Sequence, residues 1–308
     1  MTAPAPFWPE FSQSSPLSGR SPGGQRGVGA VLAVVVGIGL SLPALADPLP
    51  KVMSLNVCTD QLTMLVAEPS QILSVSNLST DPSLSYLSKQ AAHLSKNRGL
   101  AEEAFVQKPD LVVTGTYSLH NTTQLLGRLG YRVEEFAFDQ SLDAIPRDLR
   151  RIGWLLQRPE RAEALAADFE RGKQAFEQPV CGEDPTLVVF EQNGVAIGGG
   201  TLGDAAIRLA GFRNLAAEAG FAGMAPLPLE QLIAMRPDVI VLPEPMASTP
   251  SLADGIAHHP ALAALENTRT GSFVPGASWT CGGPFVLEAV KALRQLRNEI
   301  VACEPATR

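Results

Sequence analysis

Two stretches of the chain, LAEEAFVQKPDLVV at residues 100–113 and LPLEQLIAMRPDVIV at residues 227–241, decide the fold. Each has the pattern of a helix that ends at a basic residue, followed by Pro-Asp and by a short apolar run typical of a buried parallel strand. In each stretch one glutamate, Glu102 or Glu230, lies seven residues before the proline. Two such matches at equivalent places predict an internal duplication of a helix–strand unit.

Working outward from these stretches, strand and helix patterns alternate along the chain, which predicts parallel βα units. The predicted strands are Lys51–Leu55, Gln71–Val75, Leu111–Thr114, Tyr131–Phe136, Thr186–Phe190, Val239–Leu242 and Ser272–Val274. A first helix, capped by Thr59-Asp60, is expected to begin near Gln61. The other predicted helices are Leu100–Gln107, Thr122–Leu129, Gly203–Ala210, Leu229–Met235, Pro260–Leu265 and Pro284–Val301.

A helical segment separates the two halves. Residues 141–178 have helical periodicity, with an apolar stripe at Leu165, Phe169 and Phe176. From Pro159 to Gln178 a helix would extend roughly 30 Å, long enough to brace two lobes. We therefore predict an α/β fold of two Rossmann-like lobes bridged by one long helix. The expected boundaries are a signal peptide at 1–46, an N-terminal lobe at 47–157, a connecting helix at 158–180 and a C-terminal lobe at 181–308.

The composition limits the classes of partner. The 308 residues are 45% hydrophobic, with a formal net charge of −7 and no run of Lys or Arg. Such a chain is able to form a packed core, while its acidic balance argues against nucleic acid or an anionic membrane surface as partner. The low aromatic content of 6% also leaves few platforms on which bases can stack.

The N-terminal residues have the pattern of a secretory signal peptide. Arg20 and Arg26 precede an apolar run at residues 28–42, and an Ala-Leu-Ala sequence ends at Ala46. The alternative, a membrane anchor, requires about 20 apolar residues, and this run is shorter. We expect export to the periplasm with cleavage after Ala46.

At this point the chain resembles a known family, the class III periplasmic binding proteins of metal-chelate ABC importers. The two helix–strand signatures carry the resemblance, together with KVMSLNVCTDQLTMLVA at 51–67 and HPALAALENTRTGSFVPGASW at 259–279. Members hold a ferric siderophore, cobalamin or haem in the cleft between two lobes. The resemblance implies a monomeric binding protein that is not an enzyme, needs no resident cofactor and delivers its ligand to an inner-membrane permease dimer with its ATPase.

The resemblance also implies a role for the duplicated glutamates. In this family, one surface glutamate on each lobe pairs with arginines of the permease, and Glu102 and Glu230 match that position. Arginine binds a carboxylate through two hydrogen bonds, which fits such a contact. Glu103 is the competing residue in the first lobe. Each glutamate alone is more typical of an ordinary solvated helix position, and the matched pair favours docking.

The ligand site is expected on loops at the carboxyl ends of strands, where open α/β sheets bind ligands. These loops are residues 56–59, 115–120, 198–201 and 278–283. Trp279 either offers a flat apolar face to a macrocycle or packs between the last strand and helix. Tyr117 and His120 either contact the ligand or are simply polar loop residues. The candidate ligand-binding residues are Asn56, Cys58, Tyr117, His120, Gly199, Trp279 and Cys281.

Export makes the four cysteines competent to form disulfides. Cys181 begins the second lobe and Cys303 follows its closing helix, so we predict a structural disulfide between them. Cys58 and Cys281 lie on predicted cleft loops of different lobes. They are interpreted as free thiols near the ligand, a soft-metal pair, a bridge across the cleft or plain buried thiols, and the sequence leaves these alternatives open.

Cobalamin or another corrinoid is the first choice of ligand, with a ferric siderophore second. The predicted cleft loops hold neutral polar groups and no arginine cluster, which strongly anionic siderophores usually require. Haem is third, since it needs a well-placed Tyr or His axial ligand. A bare-ion receptor and a serine hydrolase are disfavoured, because the chain has four histidines and no GxSxG motif. A chelatase-like enzyme and a periplasmic ligand sensor are the alternatives with this architecture.

Overall fold

The computed structural model describes residues 48–243, 255 and 259–301. The predicted signal peptide at 1–46, its cleavage site after Ala46, and Cys303 lie outside the described residues. Within the described ranges, no helix is long and apolar enough to cross a membrane.

The first lobe contains a five-stranded parallel sheet. Its strands are β1 (Val52–Ser54), β2 (Ile72–Ser76), β3 (Lys96–Asn97), β4 (Leu111–Gly115) and β5 (Val133–Phe136). Its helices are α1 (Val57–Val66), α2 (Ser88–Ala91), α3 (Ala101–Gln107), α4 (His120–Arg128) and α5 (Ala144–Leu155). The strands lie in the order β3-β2-β1-β4-β5. The strand order therefore changes direction between β1 and β4, which is where ligands bind in open α/β sheets.

A long helix, α6 (Pro159–Phe176, 18 residues), follows α5. Gln157 has a left-handed backbone at φ 57°, which separates the two helices, and Pro159 occupies the first turn of α6. Arg150 on α5 pairs with both Glu163 and Glu170 on α6, at 2.7 and 2.9 Å. Helix α6 packs against α5 and against the last helix of the chain, so it contacts both lobes.

The second lobe contains a six-stranded mixed sheet. Its strands are β6 (Thr186–Glu191), β7 (Val195–Ile197), β8 (Arg213–Asn214), β9 (Met224–Pro226), β10 (Val239–Val241) and β11 (Arg269–Gly271). Its helices are α7 (Leu202–Leu209), α8 (Leu215–Glu218), α9 (Leu229–Met235), α10 (Pro260–Ala263) and α11 (Val286–Ile300). The order is β11-β10-β6-β7-β9, with β8 beside β6, and β7 runs antiparallel to both of its neighbours.

The Pro-Asp of the duplicated signature has the same structural role in each lobe. The preceding helix ends at its basic residue in a left-handed conformation, with φ at 51° in one lobe and 48° in the other. The Asp110 carboxylate then accepts a hydrogen bond from the backbone N–H of Lys51 at 2.7 Å. The Asp238 carboxylate accepts one from the backbone N–H of Thr186, also at 2.7 Å. Each aspartate thus fixes the start of the neighbouring parallel strand.

Helix α1 begins earlier than the sequence predicted. It begins at Val57 rather than near Gln61, because the Asn56 side chain accepts a hydrogen bond from the N–H of Cys58 at 2.9 Å and caps the helix. The residues predicted to cap it, Thr59-Asp60, lie inside its first turn.

The strand predictions failed at β11, β7 and β9 of the second lobe, and they also omitted the two-residue strands β3 and β8. The predicted strand Ser272–Val274 is wrong, because the residues that pair with β10 are those of β11, directly before it. Strands β7 and β9 were not predicted. Each has three residues and borders a glycine-containing loop, so neither gives an alternating pattern.

Candidate functional site

The first turn of α1 is covalently joined to the second lobe. Cys58 and Cys281 form a disulfide, with Cα atoms 5.2 Å apart across 223 residues of sequence. Of the alternatives that the sequence left open for this pair, the structure shows the bridge. Cys58 is half-buried and Cys281 is 1% exposed, and both border the cavity between the lobes.

Two further contacts tie the lobes together near this disulfide. The side-chain oxygen of Gln140 accepts a hydrogen bond from the backbone N–H of Leu202, at the start of α7, at 3.3 Å. The rings of Tyr86 and Phe285 stack with centroids 5.2 Å apart and an interplanar angle of 17°. The cleft therefore has one closed, cross-linked side.

A cavity of about 320 Å³ lies beside the disulfide. It is lined by the first turn of α1, by the loops that follow β4 and β5, and by Cys281 and Gly282 of the second lobe. The loops after β1 and β4 meet here, and the amide of Asn56 donates a hydrogen bond to the hydroxyl of Ser118 at 2.6 Å. The site therefore occupies the change in strand order of the first sheet.

Two aromatic rings lie at the mouth of the cavity. Tyr117 is 87% exposed and Phe138 is 61% exposed. Their centroids lie 6.2 Å apart with an interplanar angle of 80°, an edge-to-face arrangement. Because these large rings are left uncovered at the edge of a cavity, they provide an apolar surface for a bound molecule.

The polar side of the cavity is acidic. Asp139 and Asp148 both line it, and none of the described residues in its lining is Lys, Arg or His. Hydrogen bonding to Arg147, with 2.9 Å between guanidinium and carboxylate, lowers the pKa of Asp139 to about 2, so this carboxylate is ionised at neutral pH. Burial raises the pKa of Asp148, an effect that the charge of Arg147 opposes.

A buried carboxylate lies behind the cavity. Asp60 is fully buried in α1 and accepts hydrogen bonds from the N–H and the hydroxyl of Ser76, at 3.0 and 2.5 Å. Burial raises the pKa of Asp60 to about 6, against the opposing effect of its hydrogen bonds and of Lys96. Asp60 is adjacent in sequence to Thr59, which lines the cavity.

The structure brings together four of the seven predicted ligand-binding residues around this cavity: Asn56, Cys58, Tyr117 and Cys281. The other three do not line it. His120 is the first residue of α4, exposed to solvent, and its ring hydrogen-bonds to the side chain of Gln124. Trp279 is 8% exposed and ends a 3₁₀ turn before α11, so its ring is packed rather than offered to a ligand.

Gly199 has a backbone role instead. Its N–H donates a hydrogen bond to the carbonyl of Phe221 at 2.8 Å, and it forms a bridge with Ala222. At the preceding Gly198, a Cβ would lie 2.3 Å from the same carbonyl oxygen, so no other residue fits. The glycine-rich loop therefore packs against the segment before β9.

Sequence analysis missed the residues that follow β5. Phe138, Asp139 and Gln140 all line the cavity, as does Asp148 on α5. Their position in the sequence could have identified them. Strand β5 lies parallel to β4, so the loop that follows β5 must lie at the same edge of the sheet as the loop that follows β4.

The duplicated glutamates occupy equivalent exposed positions. Glu102 is the second residue of α3 and Glu230 is the second residue of α9. Among the described residues, neither carboxylate has a hydrogen-bond or ion-pair partner. Glu103, the competing residue, accepts hydrogen bonds from the backbone N–H groups of Arg98 and Leu100 at 2.9 and 3.0 Å. Glu103 is therefore occupied in capping its own helix.

Some of the residues on which the remaining cysteine and metal predictions depend lie outside the described residues. Cys181 is disulfide-bonded, and Cys303, its predicted partner, lies outside the described residues. In the part of the chain that the structure describes, there is no group of three His, Cys, Asp or Glu side chains able to hold a metal ion. His258 also lies outside that part, while the His259 ring caps α10.

Comparisons with known proteins agree on the class of fold. A family profile described as "Periplasmic binding protein" matches residues 52–275. A search of the curated proteins found no match. Among solved structures, the chain is similar to the apo form of the periplasmic heme-binding protein RhuT from Roseiflexus sp. RS-1, with 22% identity and a TM-score of 0.65 over 82% of this chain and 100% of that one.

Two proteins of Vibrio cholerae are also similar. The periplasmic heme-binding protein HutB shares 16% identity at a TM-score of 0.66, over 80% of this chain and 98% of its own. The periplasmic vitamin B12 binding protein BtuF shares 17% identity at a TM-score of 0.62, over 80% and 96%. Together with the two sheets and α6, this likeness confirms the predicted α/β fold of two lobes bridged by a long helix.

Proposed function

The chain belongs to the periplasmic binding protein family, and on that basis we propose that it is the substrate-binding component of an ABC importer for a metal chelate. We propose a cobalamin or related corrinoid as the ligand, with a ferric siderophore second. The protein acts in the periplasm after removal of its signal peptide, and it carries out no chemistry on its ligand.

The charge of the cavity is the observation that carries the choice of ligand. Asp139 and Asp148 line the cavity, and no Lys, Arg or His is in the described lining; Arg147 lies outside that lining and pairs with both carboxylates at 2.9 and 3.4 Å. Haem, with two propionates, and catecholate siderophores, with several negative charges, would find no cationic side chain in that lining. A corrinoid has a rim of neutral amides, whose N–H groups are donors for these carboxylates.

The shape of the site is consistent with a macrocycle. A corrinoid is larger than the 320 Å³ cavity, so it would place one edge inside and lie against the exposed rings of Tyr117 and Phe138. Aromatic rings left open at the mouth suit the flat, partly apolar faces of such a ligand. A neutral or cationic ferric hydroxamate satisfies the charge of the site as well, and it is therefore the second candidate.

Delivery to the membrane is assigned to Glu102 and Glu230. Two exposed carboxylates at matched positions of two lobes, neither of them paired among the described residues, fit a partner with two equivalent basic sites, which is a permease dimer. This pair favours transport over the chelatase-like and sensor alternatives, since neither of those functions requires matched carboxylates on the two lobes.

Uptake by cells tests the proposal. The gene is deleted from the source bacterium, and initial uptake of radiolabelled cyanocobalamin and of a ferric hydroxamate is compared with and without the restored gene. We expect cobalamin uptake to depend on the gene. If only hydroxamate uptake depends on the gene, the ligand is reassigned to a ferric siderophore. If neither uptake depends on the gene and the purified protein inserts a metal into a tetrapyrrole, the enzyme alternative is supported.

A further inference from the structure

We propose that the disulfide between Cys58 and Cys281 is a thiol-exchange site that opens into the ligand cavity. A small thiol reaches the Cys58 sulfur through the empty cavity and cleaves the bond, so a bound ligand protects the bond and cleavage weakens ligand binding. This inference goes beyond the proposed function and rests on it only for the choice of cyanocobalamin as a probe.

The two cysteines differ in their access to a solute. Cys58 is half-buried and lines the cavity, whereas Cys281 is 1% exposed. The loop that carries Cys281 packs closely on the first lobe. A Cβ placed at Gly282 would lie 3.9 Å from the carbonyl oxygen of Asp139 and 3.9 Å from the side chain of Ile145. Cys58 is therefore the member of the pair that a molecule in the cavity contacts.

The volume and the charge of the cavity limit the class of thiol. A cavity of about 320 Å³ admits a small molecule and excludes the folded domain of a protein dithiol. Asp139 is ionised at neutral pH, since hydrogen bonding to Arg147 lowers its pKa to about 2, and the described part of the lining holds no Lys, Arg or His. The site therefore favours a small neutral or cationic thiol over an anionic one.

Exchange at this bond takes two nucleophilic steps. The thiolate of the small thiol attacks the Cys58 sulfur, the S–S bond breaks, and Cys281 departs with the bonding electron pair and takes up a proton. A second thiol group, from the same molecule or another, attacks the non-protein sulfur of the mixed disulfide, and Cys58 departs as a thiolate that takes up a proton in turn. The protein gains two electrons and two thiols, and the small thiol is oxidised to a disulfide.

The position of Cys58 in α1 favours the second step. Cys58 lies in the first turn of this ten-residue helix, and its backbone N–H donates a hydrogen bond to the side chain of the capping residue Asn56. Negative charge is stabilised near a helix N-terminus, so the thiolate of Cys58 is a favoured leaving group there. The mixed disulfide is thus expected to resolve to free thiols.

Cleavage of the bond changes how the lobes are held beside the cavity. The contacts described above that remain are the hydrogen bond between Gln140 and Leu202 and the stack of Tyr86 on Phe285. A ligand that contacts both lobes then binds to a less constrained site. By linkage, the factor by which cleavage raises the Kd of the ligand is the factor by which bound ligand favours the intact bond.

Reduction kinetics with and without ligand test this coupling. The purified protein is treated with dithiothreitol and quenched with N-ethylmaleimide, and alkylation of each cysteine is followed by peptide mass spectrometry. Cys181 is the internal control, because it is disulfide-bonded and exposed and does not line the cavity. We expect saturating cyanocobalamin to slow the alkylation of Cys58 and Cys281 at least tenfold and to leave that of Cys181 unchanged.

Thiols of different charge test the route of attack without any ligand. We expect cationic cysteamine to cleave the Cys58–Cys281 bond faster than anionic 2-mercaptoethanesulfonate, and Asp139→Asn to lower this ratio of rates at least threefold. Asp148→Asn, at the second carboxylate of the lining, repeats the test if the first variant does not fold. Asp143→Asn removes an exposed carboxylate outside the lining and is the matched control. An equal ratio in wild type and in the folded lining variant would overturn the inference.

The outcomes separate this inference from the proposed ligand. If calorimetry shows that cyanocobalamin binds, yet Cys58 is reduced equally fast with and without it, the inference is overturned and the proposed ligand stands. If cyanocobalamin does not bind, the proposed ligand is wrong, and the charge series alone decides whether the thiol enters through the cavity.

Discussion

Cys58 and Cys281 are 223 residues apart in sequence, yet their Cα atoms lie 5.2 Å apart and their sulfurs are bonded across the two lobes. The bond joins the first turn of the first helix of one lobe to the loop before the last helix of the other. It borders the candidate ligand cavity. The lobes are thus held at one side by a covalent link, while α6 connects them in the chain.

Removing this link should loosen the site. In the chain-entropy description a disulfide stabilises by restricting the unfolded state, typically by about 2–5 kcal/mol. We expect Cys58→Ser combined with Cys281→Ser to lower the Tm and to weaken ligand binding several-fold, since the lobes no longer present a fixed cavity. Thermal unfolding and small-angle X-ray scattering check this. Equal Tm and equal radius of gyration in variant and wild type would show that the bond constrains nothing.

The exposed rings at the mouth should contribute binding energy. Burying an aromatic side chain is worth about 1.5–3 kcal/mol, and about 1.4 kcal/mol corresponds to tenfold in Kd. We expect Tyr117→Ala and Phe138→Ala each to raise the Kd for cyanocobalamin about tenfold or more. Trp154→Ala removes an aromatic ring of comparable exposure that does not line the cavity and should leave the Kd unchanged. If all three variants bind alike, the ligand does not lie against these rings.

The two unpaired glutamates should act in delivery rather than in capture. Reversing both charges, Glu102→Lys with Glu230→Lys, places cations opposite basic sites of the permease, and like charges repel. We expect cobalamin uptake to be abolished while the Kd stays within twofold of wild type. Glu160→Lys with Glu266→Lys makes the same charge change at two other exposed positions. Normal uptake by the double variant would remove the docking assignment.

The stability of the protein should depend on pH through Asp60. Its pKa is about 6 in the folded state against 3.8 for the ordinary carboxyl, because the group is buried. Between these values the folded state binds more protons than the unfolded chain, so its contribution to stability falls as pH rises from about 4 to about 6 and then levels off. The difference between these two pKa values corresponds to about 3 kcal/mol in the free energy of unfolding.

Asp60→Asn isolates this contribution. The amide keeps an acceptor for the N–H of Ser76 and a donor for its hydroxyl, but it does not titrate. We expect the free energy of unfolding, measured with urea from pH 4 to pH 7, to fall more steeply in wild type than in the variant. Parallel curves for the two proteins would mean that Asp60 ionises as an ordinary surface carboxyl does.

Much of the fold was predictable because it depends on local patterns. The duplicated signature located α3, α9 and the strands after them, since a helix stop and a buried apolar run are both encoded within about fifteen residues. The structure adds what Pro-Asp does at a distance: Asp110 and Asp238 hold the starts of β1 and β6. Such pairing between distant segments is not visible in a single sequence.

Sequence analysis identified the site residues only where a polar or reactive side chain comes soon after a clearly predicted strand. Asn56, Cys58 and Tyr117 follow clear strands and were identified, whereas Phe138 follows an edge strand and reads as an ordinary loop residue. For Trp279 the sequence left packing and ligand contact open, because an aromatic residue in a loop is as often packed as exposed, and its burial depends on α11 and the turn before it.

Calorimetric titration of the purified protein with cyanocobalamin, with hemin titrated separately, tests the central claim most directly. Cobalamin and haem are both tetrapyrrole-type chelates, but only haem has carboxylates, and the described lining beside Asp139 and Asp148 offers them no cationic side chain, since Arg147 lies outside it and pairs with both aspartates. The account predicts saturable binding of cobalamin at micromolar concentration or below, and binding of hemin at least tenfold weaker. Tight binding of hemin with no binding of cobalamin would contradict it.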